Sequence, residues 1–389
     1  MPYHGAMRWG TERAAAPGVV PAVVPAVGLA IAVALAGPAA GATVRVLLLD
    51  RRESVQIEPA DGGQATAIRI RPGRAGLSVG GRARGAALRF EGPGPQRVDG
   101  RRYRGAIEVL ARPEGIRVVN EVPLEAYVAG TLLGEVHESW GPAVLDAQAV
   151  ATRSYVLHRQ ARATPGADYD VESGTLGQVY LGLDGESQAT WSAVEATRGE
   201  VLAFGGEAIL AAFHGTAGGR TASAAEVWGE PLPYLVSVPV DGEDESPDTY
   251  WRAAFSADEL GELLARAGDP VGRVRAVEIT ARTPSGRCAA LRIQGRRGTA
   301  QLDGEALRAA IGEGRLRSTL FAVRATADGF VFVGSGRGHG VGMSQWGARV
   351  MAERGSDYRA ILRRFYPGAE LRHLPASVGA GATASAGGS

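Results

Sequence analysis

Between residues 43 and 118 the apolar positions fall in short β-type runs: Val44–Leu49, Ala67–Ile70, Ala87–Phe90, Ala106–Leu110 and Ile116–Val119. Clusters such as Asp61-Gly62-Gly63 and Gly92-Pro93-Gly94 punctuate them as turn signals. The period then changes. Pro123–Gly134 and Pro142–Ala161 predict two helices, each opened by a proline suited to a first turn. Leu124, Val128 and Thr131 form one stripe of the first helix, and Glu135 falls on the same stripe just past Gly134. Ala147, Ala149 and Ala151 keep the second helix narrow enough for a close neighbour. Residues 175–240 return to strands and turns, including Glu200–Phe204 and Ala208–His214, and Asp241–Asp248 reads as a solvated acidic loop. A smaller α/β unit follows over 252–334, with helices at Ala257–Ala267 and Gly304–Ile311. Its strands are expected at Val274–Thr280, Ala289–Gln294, Phe321–Ala325 and Gly329–Val333. After a glycine-rich turn, helices are expected from about Ser344 to Glu353 and from Asp357 to Phe365.

The ends of the chain differ from its middle. Ala14 to Val44 carries no charge, follows Arg8 and Arg13, and ends at Ala40-Gly41-Ala42. Positive region, apolar region and A-x-A site predict a secretory signal peptide cleaved after Ala42, with an uncleaved membrane anchor as the alternative. The Gly/Ala/Ser tail from Ser377 lacks the large apolar groups that would order it. The expected organisation is a signal at 1–42, a β-rich region at 43–118 and a catalytic core at 119–251. The smaller unit at 252–334, a return to the core at 335–374 and a disordered tail at 375–389 complete it. The fold class is α+β, a helical-plus-β core with the smaller α/β unit inserted in sequence.

The 389 residues are 45% apolar, which rules out wholesale disorder. All basic residues are arginine and the net charge is only +1; the arginines are expected to have acids beside them, which argues against a nucleic-acid binder. The single Cys288 excludes an intrachain disulfide and a Cys-rich zinc site.

Four stretches carry candidate chemistry: VVNEVPLEAYVAGTLLGEV (Val118–Val136) followed by AVLDAQAVATRSYVLHRQA; DVESGTLGQVY (Asp170–Tyr180); FHGTAGGRTASAAEVWG (Phe213–Gly229); and GRGHGVGMSQWGARVMAERGSDYRAILRRFYPGAEL (Gly336–Leu371). Glycines beside His214 and His339 suggest turns where backbone approaches a ligand. In this order the stretches resemble the SpoIID/LytB family of bacterial cell-wall proteins, over nearly all of residues 106–371. The resemblance implies an extracytoplasmic protein, in the cell wall or periplasm, that binds peptidoglycan glycan strands. Its best understood members are lytic transglycosylases acting on peptide-stripped glycan. The LytB branch instead enhances a cell-wall amidase, which would then be a partner.

The resemblance places the catalytic acid at Glu135 and a family arginine at Arg153, assigned here to substrate. Gln178, His214, Arg220, His339 and Gln345 complete the expected substrate-binding set. The zinc site of some relatives has no counterpart, because Glu172 and Gly177 stand where its cysteines would be. No metal and no cofactor are therefore expected. The chemistry is consistent with one carboxyl group. In lytic transglycosylation the muramic-acid 6-hydroxyl attacks its own anomeric carbon, so no second carboxylate is needed to activate water. The same Glu protonates the leaving oxygen and then takes the hydroxyl proton, which requires a pKa raised by a dry setting. Bland readings stand beside these: Glu138 as a solvated neighbour, Glu121 and Glu125 as helix-dipole acids, both histidines as turn supports, Gln345 as part of a helix start. A non-catalytic glycan-binding module is the first rival. A metal-dependent hydrolase on His214 and His339 is the second, disfavoured by the lack of an HExxH or HxH pair.

Overall fold

The computed structural model describes residues 42–374 except 59–66, 74, 175 and 176. The expected signal, the cleavage site and the Gly/Ala/Ser tail lie outside the described residues.

The chain opens on Thr43–Arg52, which pairs antiparallel with Gly115–Pro123. Ala106–Arg112 and Ala87–Phe90 extend the sheet on one side, and the short Val171–Glu172 adds in parallel on the other. Between these strands a six-stranded sheet spans Val55 to Tyr103, with Val55, Ile57, Ile70, Leu77 and Val98 turned into the core. Gly115–Pro123 runs straight into helix α1 (Leu124–Glu135), with Pro123 at the N-cap in extended backbone. Every residue from Ala126 to Leu132 is buried. This corrects the single-stripe reading: α1 is apolar all round because it is the central helix.

Helix α2 (Pro142–Ala161) is a partition. Val144, Leu145, Ala149, Val156 and Leu157 pack into the first core, with α1 and the first sheet. Ala147, Val150 and Ala151 face a second core. Two helices stand where only strands and turns were expected, α3 (Gln188–Ala196) and α4 (Ala224–Trp228). Both begin with reciprocal capping boxes, Ser187 with Thr190 and Ser223 with Glu226, which satisfy exposed amides and fix short helices that periodicity does not reveal.

A third core is built wholly from residues between Trp251 and Phe332. It holds α5 (Ala257–Arg266), α6 (Gly304–Ile311) and two three-stranded sheets. The chain then returns to the second core. Met343–Ser344 pairs in parallel with Phe213–His214 and leads into α7 (Gln345–Glu353) and α8 (Tyr358–Phe365). Tyr358, Ile361, Leu362 and Phe365 of α8 are buried, while Glu370–His373 pairs antiparallel with Glu200–Phe204.

Two expectations about charge are revised. The acidic stretch 241–248 is solvated only in part: Asp241, Asp244, Glu245 and Pro247 are exposed, while Glu243, Ser246 and Asp248 are buried. Glu243 accepts hydrogen bonds from the amides of Ala217 (3.0 Å), Gly218 (2.9 Å) and Gly219 (3.5 Å) and from the Ser344 hydroxyl. Nor are the arginines evenly matched. Residues 67–104 hold ten arginines against Glu91 and Asp99 alone, in a chain whose net charge is +1.

Candidate functional site

Glu135 is the last residue of α1, half-buried, where the helix meets the segment after Gln178. Gly134 makes the meeting possible: a Cβ there would lie 2.1 Å from the Val179 carbonyl oxygen. With hydrogen in its place, Val179 comes close enough to donate its amide to Glu135 Oε1 at 2.6 Å. The amide of Gln345, at the start of α7, donates to Oε2 at 3.4 Å. Burial raises the Glu135 pKa above the ordinary carboxyl value, and these two bonds oppose the rise without cancelling it. The net direction favours a carboxylic acid that holds its proton.

The supporting shell is aromatic and amide. Tyr127 of α1 donates its hydroxyl to Gln178 Oε1 at 2.9 Å, so fully buried Gln178 orients the segment that carries Val179. Tyr180 in turn donates to Asn120, the only asparagine in the chain, at 2.9 Å. Burial raises the Tyr155 hydroxyl pKa; Arg159 opposes the rise, while the Glu172 and Glu135 charges add to it. Trp140 and Trp346 flank the Glu135–Gln345 contact in sequence and meet edge to face, ring centroids 5.0 Å apart. Both are half-buried, and the Arg349 guanidinium lies 4.7 Å from the Trp346 ring. Tyr155 and the Val179 amide were not among the residues singled out from sequence. The two tryptophans stand 206 positions apart in sequence.

The remaining expected residues divide. Gln345 and Gln178 belong to the surroundings of Glu135. Arg153, expected at substrate, is engaged within the protein. It is fully buried, its Nε and Nη2 hold the Glu125 carboxylate at 3.1 and 2.7 Å, and its Nη1 donates to the Glu200 carbonyl at 2.9 Å. Glu125 lies at the opposite end of α1 from Glu135, about 15 Å away along the axis. The guanidinium therefore offers no exposed edge to a ligand.

His214 and His339 form a second, separate cluster, ring centroids 5.8 Å apart, with Trp228 beside His339. The Val341 peptide ties both: its carbonyl lies 3.1 Å from His214 Nδ1, and its amide donates to His339 Nδ1 at 3.0 Å. Burial pushes the His214 pKa well down and that of His339 to about 3, with Arg308 and Arg287 reinforcing the effect at His339. Both shifts favour the neutral imidazole. Arg287 reaches this cluster from the smaller unit, fully buried, and donates to the Ala217 carbonyl at 2.9 Å. It lies flat against Gly340, where a Cβ would fall 2.3 Å from the guanidinium carbon. Arg220 is exposed and bonds Ser237 at 3.3 Å. Among the described residues no three His, Cys, Asp or Glu side chains gather as metal ligands, and Glu172 accepts the Tyr169 hydroxyl.

Comparison with known proteins places this α+β fold and its half-buried helix-end carboxyl group. Residues 112–204 match the family described as Stage II sporulation protein, and residues 237–342 match a domain of unknown function, DUF8618. Stage II sporulation protein D of Bacillus subtilis (strain 168) is 30% identical over 296 residues, covering 70% of this chain and 83% of that protein. An uncharacterised protein of Brachyspira hyodysenteriae is 31% identical over 274 residues, covering 70% of this chain and 73% of its own length. The amidase enhancer of B. subtilis is 28% identical over 62% of this chain, but only 40% of that longer protein is covered. The chain belongs to the SpoIID family of cell-wall-related proteins.

Proposed function

We propose that this protein is an exported lytic transglycosylase that cleaves peptide-stripped peptidoglycan glycan and leaves 1,6-anhydro-muramic acid ends. The observation that carries the reading is Glu135: a half-buried acid whose pKa is raised by burial, held by one backbone amide and one side-chain amide. Protonated Glu135 gives its proton to the glycosidic oxygen as the bond to the anomeric carbon breaks. The resulting carboxylate takes the proton of the C6 hydroxyl as that oxygen closes on the anomeric carbon, so atoms and charge balance without a second carboxylate. Val179 N–H and the Gln345 amide stabilise the carboxylate stage, and the half-buried Trp140–Trp346 pair supplies an apolar platform for a sugar face. Arg153 has no part in this reading beyond holding α1.

The similarity to the amidase enhancer supports a second reading, a glycan-binding partner that stimulates a cell-wall amidase. Mass analysis of products from peptide-stripped peptidoglycan separates the two. Anhydro-muramic ends from wild type and none from Glu135→Gln support the enzyme. No product from either, with amidase stimulation retained by both, replaces it with the second reading.

A further inference from the structure

We propose that Arg287 is a positioning residue for Glu135, and that seating the return segment which carries Gln345 and Trp346 is the work of the smaller unit. The part Glu135 plays rests on the function proposed above; the positioning itself rests on contacts. Arg287 closes the hairpin between strands Val274–Arg282 and Cys288–Gly295, where the Thr283 amide donates to its carbonyl at 2.9 Å. Hairpin connections ordinarily run over the surface. This side chain is instead 1% exposed and leaves its own unit for the second core. Its Nη2 donates to the carbonyls of Ala217 at 2.9 Å and Arg220 at 3.4 Å, while Nε and Nη1 make no hydrogen bond among the described residues. Burial pulls its pKa down to about 10, against the charges of Glu305, Glu226 and Glu243. A buried cation so incompletely bonded does little for stability that an unbranched apolar side chain would not do. What it fixes is the place of the backbone around it.

Two routes lead from this guanidinium to Gln345. The first runs along the chain. Gly340, five residues before Gln345, lies against the guanidinium at a φ of +83°, and a side chain there would occupy the place of Arg287. Just before it, Gly338 donates its amide to the Arg317 carbonyl at 2.9 Å, and Trp251 of the third core donates its indole N–H to the Gly336 carbonyl at 3.0 Å. Arg337 and Gly340 bond the other side, through Thr216 and Ala222. The return segment is thus threaded between the smaller unit and the core before Ser344 pairs with His214. The second route runs through the 217–219 turn. Arg287 holds Ala217 by its carbonyl, Glu243 holds the same residue by its amide, and Glu243 also accepts the Ser344 hydroxyl. Both routes end at the residue before Gln345, whose amide reaches Glu135 at 3.4 Å and whose neighbour Trp346 meets Trp140. A bond of that length tolerates little further displacement of the segment that brings it.

The test uses the full chain. Trp140 and Trp346 lie close enough for their indole transitions to couple, so the circular dichroism of wild type minus that of Trp346→Phe should show an exciton couplet. The same difference taken in an Arg287→Met background should show none, at a thermal midpoint close to that of wild type. The Gln345 bond lowers the Glu135 pKa, so losing it raises that pKa. Because the acid form is the competent one, the high-pH limb of turnover should move to higher pH in Arg287→Met, as far as in Gln345→Ala, and no further in the double variant. The Glu135 carboxyl resonance, identified by its absence from Glu135→Gln, should titrate with the same shift whether or not product is made. Trp251→Phe, which releases only the Gly336 carbonyl, should move both readouts in the same direction, and it decides the matter if Arg287→Met does not fold. An intact couplet or an unmoved Glu135 titration overturns the proposal, as does a shift in the double variant equal to the sum of the two single shifts. A lost couplet and a raised Glu135 titration in a chain that yields no anhydro product leave the positioning standing and remove only the enzyme reading.

Discussion

Two glutamates sit at loop–helix junctions on either side of Gln345, and they have been put to different uses. Glu135 at the end of α1 receives one backbone amide and one side-chain amide and keeps a half-buried carboxyl group with a raised pKa. Glu243, in the 241–248 turn, receives three backbone amides and the Ser344 hydroxyl. The second is saturated. It joins the 217–219 turn to the residue that caps α7, and so fixes where Gln345 begins. The contrast is one of donors: Glu135 accepts from two groups, whereas Glu243 accepts from four and is held as a brace between segments.

The comparison can be broken most forcefully at Glu135. Glu135→Gln is expected to lower turnover about 10²–10⁴-fold, measured as anhydro-muramic product, while leaving the fold intact. Unchanged turnover would make Glu135 a second brace. Glu243→Ala should act the other way round, costing about 1–3 kcal/mol in denaturant unfolding because the buried Ala217 amide and its Gly218 and Gly219 neighbours lose their acceptor. A stability within experimental error of wild type would show that water replaces the carboxylate and that the turn is not braced by it. Gly134→Ala, whose methyl would meet the Val179 carbonyl at 2.1 Å, should cost roughly 1–3 kcal/mol and reduce turnover by displacing the Val179 amide. Turnover equal to wild type would mean that the Val179 bond does not matter to the acid.

The smallest effect is a matter of pH. The native state holds the Glu135 proton more tightly than the unfolded chain, because burial raises its pKa. Below the unfolded carboxyl value the two states are equally protonated and the residue costs nothing. As pH rises from there through the folded value, ionising it in place destabilises the native state. Melting curves of wild type and Glu135→Gln should therefore coincide in acid and separate toward neutrality, with the Gln variant higher. Activity should fall over the same interval as the acid form is lost. A Gln variant that melts lower at neutral pH than in acid, relative to wild type, would reverse the sign of the shift.

How much of this could be read from sequence depended on whether the signal was local. Pro142–Ala161 and Gly304–Ile311 follow their periodicity and end where their caps dictate. Helix α4 was also legible, since Ser223-Ala-Ala-Glu226 is a capping box in plain letters, but five residues are too few to show a period. Glu135 was reached from its motif and its stripe. Its two hydrogen-bond partners were not, because nothing in LLGEV points to Val179 or Gln345. At Arg153 the partner itself was not legible. A family position and a neighbouring alanine-rich surface suggested a ligand contact, whereas Glu125, which pairs with it, had an adequate explanation as a helix-dipole acid. The dense negative charge of 241–248 similarly argued for water, and only the fold supplies the three amides that Glu243 accepts.

The bond between Gln345 and Glu135 spans 210 positions of sequence. During synthesis the end of α1 is complete long before α7 exists, and domains made first fold first. A nascent or truncated chain thus carries the acid with the Val179 amide alone and without the tryptophan that follows Gln345. The Glu135–Gln345 contact is assembled only when nearly the whole polypeptide has been made and the return segment has docked.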